Sequence, residues 1–374
     1  MYVPFQFLSF ITGFGLLLFL NMGLTACKLG ETAVSGKFNP DSSNPLPAPP
    51  PTPPVESTPL CIIATAPMIN TTLNASGSSG QSIYVSDSHA YFGTTGVTTG
   101  VQIIDVSMPG TPVNKGYIAT NTGPGQIDPS GNDILDIFVD NSTLFASTYS
   151  GGLLVADASD PLTPTVLGTL NLSGETWSVA ARGQYAYVGS SSAGLYVIDI
   201  SNPSAPTITN TLGGANLRHI QIDGDTIIGA SATELFVISI SDPVNPAVLG
   251  SLTVPNISAY EIYSTNGYLY GIDKVIKVLN TYDISDPGNI TIVHTTSPGT
   301  YDYRSIDGFA EKLFIGTGSG TGGEVLTFDI SDPAQPSPLT TTTLSNRSYE
   351  IHFSEGYVFS ANNDGNMEIV EVCP

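Results

Sequence analysis

Asp136, Glu261, Glu350 and His219 hold the same place in four copies of a repeating unit, immediately before an aliphatic residue that every copy keeps. Grouped carboxylates with an imidazole can hold a hard cation such as Ca²⁺, or move protons in acid–base chemistry. The other copies have Ser82, Ser178 and Ser305 at this place. One position earlier stand Gln81, Leu135, Trp177, Arg218, Tyr260, Arg304 and Tyr349. A polar set beside a wholly Ile/Val set has no core role, so it is expected to face a channel or a ligand. The insert "NTGPGQIDPSGNDILD" adds Asp128 and Asp133, which with Asp136 are candidate metal ligands. "SPGTYDYRS" adds Tyr301, Asp302 and Tyr303. Trp177, Tyr260 and Tyr349 supply flat apolar surface of the kind that suits a sugar or a peptide.

The elements that position these residues follow from the repeat. "IYVSDSHAYFG", "IFVDNSTLFAS", "VAARGQYAYVG", "IQIDGDTIIGA", "IYSTNGYLYGI", "IDGFAEKLFIG" and "IHFSEGYVFSA" align without a gap, each as strand, polar turn and strand. A Gly-rich loop follows, then a third strand ending in a phrase such as "DISNPSAP", then a fourth strand. The marker Asp falls at Asp105, Asp157, Asp199, Asp283 and Asp329, with Ser239 and Glu371 in its place in two units, so the gaps run from 40 to 52 residues. That period, with several short strands per unit, is the size of a propeller blade. The chain is therefore read as all-β, a seven-bladed β-propeller of four-stranded blades. In the DxSxPxxP phrase the Asp oxygen can accept from an N–H two residues on, and Pro presets φ. These Asp residues are read as structural.

The repeated phrase resembles the LVIVD family of bacterial and archaeal surface proteins over residues 61–374. The resemblance implies a propeller and a surface location, and no established reaction. Departures fall at Ser239, at Ile290 where the second Pro is missing, and in the last unit, which stops after its third strand. "PMINTTLNASG", residues 67–77, is similar to the fourth strand "PTVLGTLNLSG" of the second unit. An N-terminal strand is thus expected to complete the last blade and close the ring, sparing it an open edge. Cys61 and Cys373 sit one and two places after the marker in the alignment, which brings them into that blade as a candidate disulfide.

Residues 1–26 carry no charged side chain, and the apolar run ends in Leu24-Thr25-Ala26-Cys27. That ending resembles the lipobox of bacterial lipoproteins, which implies a signal peptide over 1–26 and lipid on Cys27. The absence of Lys or Arg in "MYVPFQF" departs from such signals, and an uncleaved membrane anchor is the alternative. Residues 27–60 are Pro-rich and polar and read as a tether with polyproline character. The expected address is the bacterial cell envelope, at the outer membrane or cell surface, with the membrane as partner through the lipid.

Ten Lys and Arg against 32 Asp and Glu give a net charge of −22, which excludes the basic footprint nucleic acid needs. No HExxH, CxxC or GxSxG pattern occurs. The reading is a binding module for an envelope or extracellular protein, peptide or glycan, with candidate contacts Asp136, His219, Glu261, Glu350, Trp177, Tyr260 and Tyr349. No cofactor is expected beyond a divalent cation. The alternative is a propeller hydrolase of lactonase or glycosidase type using the same carboxylates and His219.

Overall fold

The computed structural model describes residues 61–67, 79–95, 100–119, 133–150, 152–254, 257–273, 275–297, 299, 302–319 and 322–372, with only the backbone given at 61–67, 257–261 and 319. Its strands form seven antiparallel sheets of four. Each sheet is one blade, and its strands neighbour one another in sequence order, except in the last blade. The first strands of the blades are Ser79–Ser86, Ile134–Asp140, Thr176–Arg182, His219–Asp223, Ile257–Thr265, Tyr303–Phe309 and Ser348–Ser354. Each of these touches the first strand on either side, and the seventh touches the first, so together they wall a closed ring. Among the described residues no helix is long and apolar enough to cross a membrane.

The hairpins form where the sequence places them. Asn266 and Gly267, both at positive φ, join Thr265 to its partner Tyr268 in a two-residue turn. Asn141 and Ser142 do the same between Asp140 and Thr143. Such turns carry the twist of the flanking strands, and Asn and Gly tolerate the left-handed backbone. The repeated phrase is the turn between third and fourth strands. The marker carboxylate accepts from the N–H two residues on: Asp105 from Ser107 at 2.9 Å, Asp157 from Ser159 at 2.8 Å, Asp199 from Ser201 at 2.8 Å, Asp283 from Ser285 at 3.0 Å and Asp329 from Ser331 at 2.7 Å.

The core lies between blades. Seven apolar clusters each draw on two adjacent blades, and the one joining Ile83, Phe92 and Ile104 to Phe359, Met367 and Ile369 joins the first blade to the last. The turns also dock on the preceding blade. Tyr187 donates to the Pro243 carbonyl at 3.1 Å and Tyr270 to the Pro333 carbonyl at 2.9 Å. Gly250, in a fourth strand, lies so close to the Pro287 carbonyl that a Cβ there would overlap it.

Closure uses an N-terminal strand, but not the expected segment. Cys61–Pro67 pairs with Asn366–Glu371, with Cys61 opposite Glu371 and Pro67 opposite Asn366. An antiparallel partner for a third strand that ends at Glu371 must begin opposite that end, upstream of the Thr-Leu-Asn likeness. Residues 68–78 lie outside the described residues. So do Cys27 and the other residues of 1–60, Asp128, Tyr301 and Cys373.

Candidate functional site

The residues fanned around one end of the channel are put there by a backbone irregularity. In five blades the first strand skips one residue in its pairing with the second: Gln81, Leu135, Trp177, Arg304 and Tyr349. A β-bulge leaves its extra residue unpaired and re-aims that side chain. Here the same bulge recurs and each blade aims a different side chain. In the fourth blade Arg218 stands just ahead of the strand, its N–H bonded to the Ala230 carbonyl at 2.8 Å.

These side chains line a mouth cavity of about 320 Å³ together with Thr95, Asp133, Tyr149 and Glu350. The Arg218 guanidinium lies 5.0 Å from the Trp177 ring centroid, and that of Arg304 lies 5.5 Å from Tyr349. Tyr149 meets Trp177 edge-on at 5.8 Å. Glu175 fixes this corner by accepting from the Tyr149 hydroxyl, from Ser191 Oγ at 3.1 Å and from Trp177 Nε1 at 3.3 Å. Those bonds, the tyrosine's first, hold its carboxyl below the usual range. Asp302 pairs with Arg304 at 2.7 Å and with Lys277 at 3.7 Å. Tyr303 is buried in the core, its hydroxyl on the Gly299 carbonyl at 2.9 Å.

Below the mouth the polar ring does structural work. The inner edge of each first strand has no fifth strand to pair with, so its N–H groups need other acceptors. Asp136 Oδ2 accepts from Val179 N–H of the next blade at 2.9 Å and from Ser178 Oγ at 2.7 Å, while Oδ1 takes Ile137 N–H at 2.8 Å. Ser178 Oγ accepts from Ile220 N–H at 3.2 Å, and Glu350 Oε2 from Ile83 N–H at 3.0 Å across the closure. A second tier lies two residues further along. Gln221 clasps Ser264 through its N–H at 2.8 Å and its carbonyl at 3.1 Å, and Asp307 Oδ2 takes Phe353 N–H at 2.6 Å. Each clasp reaches from one blade to the next.

This throat holds a second cavity of about 300 Å³, lined among others by Asp136, His219, Asp307, Glu350 and His352. Burial pushes the Asp136 carboxyl up to about 6, against the pull of its three hydrogen bonds. Burial also raises Asp307, opposed by His352, and lowers His352, opposed by Asp307 3.7 Å away. Tyr84 packs against His352, the ring centroids 4.7 Å apart and the planes tilted by 37°, and is pushed up to about 12 by burial and by the charges of Asp136 and Asp307.

Of the sequence-derived candidates, Trp177, Tyr349, Asp133 and Glu350 line the mouth, and Asp136, His219 and Glu350 line the throat. Only the backbone of Tyr260 and Glu261 is described. Among the described residues no three His, Cys, Asp or Glu side chains come together as a metal would require. The carboxylate reading of the ring passed over Arg218, Arg304 and Tyr149 at the mouth and Asp307 and His352 in the throat. The alignment that placed Trp177 and Tyr349 places both arginines beside them.

The fold is that of a seven-bladed β-propeller. The chain carries the LVIVD repeat, whose family model matches residues 173–212. Among curated proteins, none matches the sequence. Among solved structures it is similar to the β-propeller domain of Myceliophteria thermophila Cps50 (Swd1), with a TM-score of 0.61 and 13% identity over 84% of this chain and 100% of that one. It is also similar to the computationally designed Ika8 protein, with a TM-score of 0.54 and 10% identity over 80% of this chain and 98% of that one. Both are likenesses of fold.

Proposed function

We propose that this chain is a non-catalytic binding module of the bacterial envelope, anchored by lipid on Cys27, held off the membrane by residues 27–60 and taking its ligand at the propeller mouth. One observation carries the reading. A single bulge, repeated from blade to blade, sets unlike side chains around a cavity of about 320 Å³. Repetition builds the frame, and recognition of an asymmetric ligand needs the variety found here. The hydrolase alternative would use Asp136, Glu261, Glu350 and His219, yet Asp136 and Glu350 already serve as acceptors that join neighbouring blades.

The test is photo-crosslinking in intact cells, with a photoreactive amino acid replacing either Leu135 at the mouth or Phe309. Phe309 is 60% exposed and ends its strand at the opposite face. A discrete adduct from position 135 alone is expected. Adducts from position 309 alone, or from neither, would contradict the reading. Mass spectrometry of the mature N-terminus decides the anchor: acylated Cys27 is expected, and a chain that begins elsewhere overturns it.

A further inference from the structure

The mouth gathers arginine in a chain that has very little of it. The sequence contains four arginines against 32 acidic residues. Arg218 and Arg304 both line the mouth cavity. Arg347 immediately precedes the seventh blade's first strand, at the same end of the channel. Arg218 leans on Trp177 of the preceding blade and Arg304 on Tyr349 of the following one, so the two cations flank the fifth blade. A guanidinium stacked on a ring keeps its planar fork of donors free at the edge, the geometry that matches a carboxylate. Arg304 is already paired with Asp302. Among the described residues Arg218 is in no close ion pair; the carboxylate that feels its charge, Glu175, is already held by Tyr149, Ser191 and Trp177.

The rest of the wall narrows the ligand. Gln81 and Thr95 offer hydrogen-bonding groups suited to hydroxyls, while Leu135 and Tyr149 offer apolar surface for C–H groups. The cavity is at the small end of the usual range for small-molecule sites, about 300 to 1,000 Å³. A peptide added as an extra strand would need a free strand edge, and several inner-edge N–H groups are already taken by side chains of the neighbouring blade. A doubly charged phosphate would be repelled by the chain's net charge more strongly than a monoanion.

The geometry points to a carboxylated sugar as the ligand, its carboxylate on Arg218 and its hydroxyls on Gln81 and Thr95. This rests on the mouth being the binding surface. Trp177 is the chain's one tryptophan, so its fluorescence reports the mouth directly. The purified full chain in mild detergent is titrated with uronic-acid oligosaccharides, with their neutral counterparts, and with short peptides bearing a free or an amidated C-terminus.

A saturable change with the uronates alone is expected. Arg218→Gln should weaken it at least about tenfold, Arg218→Lys less, and Arg182→Gln not at all, because Arg182 pairs with Asp225 at a hairpin turn of the opposite face. An equal response to the neutral sugars overturns the carboxylate assignment and leaves the mouth reading standing. A response to free-acid peptides alone overturns the sugar assignment. No response to any probe overturns the inference, while crosslinking from position 135 judges the mouth separately.

Discussion

The two ends of the channel are built from the same seven units and differ in what repeats. At the turn end, Asp105, Asp157, Asp199, Asp283 and Asp329 do one job five times, each capping the N–H two residues on. At the mouth the backbone repeats as a bulge, but the side chain it presents changes from Gln81 to Leu135, Trp177, Arg304 and Tyr349. Where a residue type recurs with the period, its polar groups are consumed by local structure. Where only the backbone recurs, the side chain is free to specialise. The throat shows the limit of that rule. Asp136 stands alone in type yet is structural, because it joins two blades.

The largest expected effect falls in the last blade, where the N-terminal strand Cys61–Pro67 closes the ring. If Cys61 is bonded to Cys373, Cys61→Ser loses up to about 5 kcal/mol, because the crosslink closes nearly the whole propeller into one loop. Non-reducing peptide mapping and a thermal melt check this together. Linked peptides with a lowered melting temperature are expected.

Next comes the turn end. Gly250→Val drives a side chain into the Pro287 carbonyl of the next blade. It should cost about 3 kcal/mol in denaturant unfolding. A cost near zero would mean that the turns do not hold the blades in register.

In the throat, Asp136→Ala removes the acceptor of Ile137 N–H, Val179 N–H and Ser178 Oγ. A cost of about 2 kcal/mol is expected, since buried donors are left unpaired. The pH dependence of a gentler change refines this. A folded pKa raised to about 6, against 3.8 for an unperturbed Asp, means that the folded state binds the proton more tightly. The Asp136 contribution to stability therefore rises as pH falls through 6, and the cost of Asp136→Asn should be greater at pH 5 than at pH 7.5 by about 1 kcal/mol. The turn aspartates have the opposite sign. Hydrogen bonds from Ser107 hold Asp105 down to about 2, so its contribution is present above the ordinary Asp value and is lost as pH falls towards 2. They do not disturb a comparison made between pH 5 and 7.5.

Much of this was legible in the sequence. The period, the seven hairpins, the Asp-capped turn and the place of Trp177 and Tyr349 all follow from aligning the units, since each rests on contacts within one unit. The closing strand was assigned too far along the chain, because a likeness of side chains in "TTLNASG" says nothing about where the last blade's third strand ends. The cross-blade bonding of Asp136 is not legible, because its partners Ser178 and Val179 lie one repeat away and a column of aligned residues does not show which neighbour a side chain reaches. The same holds for Asp307 and His352. Arg218 and Arg304 stood in the right column, but their role depends on stacking over rings of adjacent blades.

The difference between the two ends is tested most directly by unfolding a chain in which Gln81, Arg218, Arg304 and Tyr349 are all replaced by Ala. These are half-buried residues of the mouth wall, and surface changes away from caps and cores cost little each. The account predicts a combined loss below about 2 kcal/mol in denaturant unfolding, less than Gly250→Val alone, together with loss of the crosslinked adduct at position 135. A loss above that of Gly250→Val, or an adduct that persists undiminished, would show that the mouth residues serve the fold and that the ligand binds elsewhere.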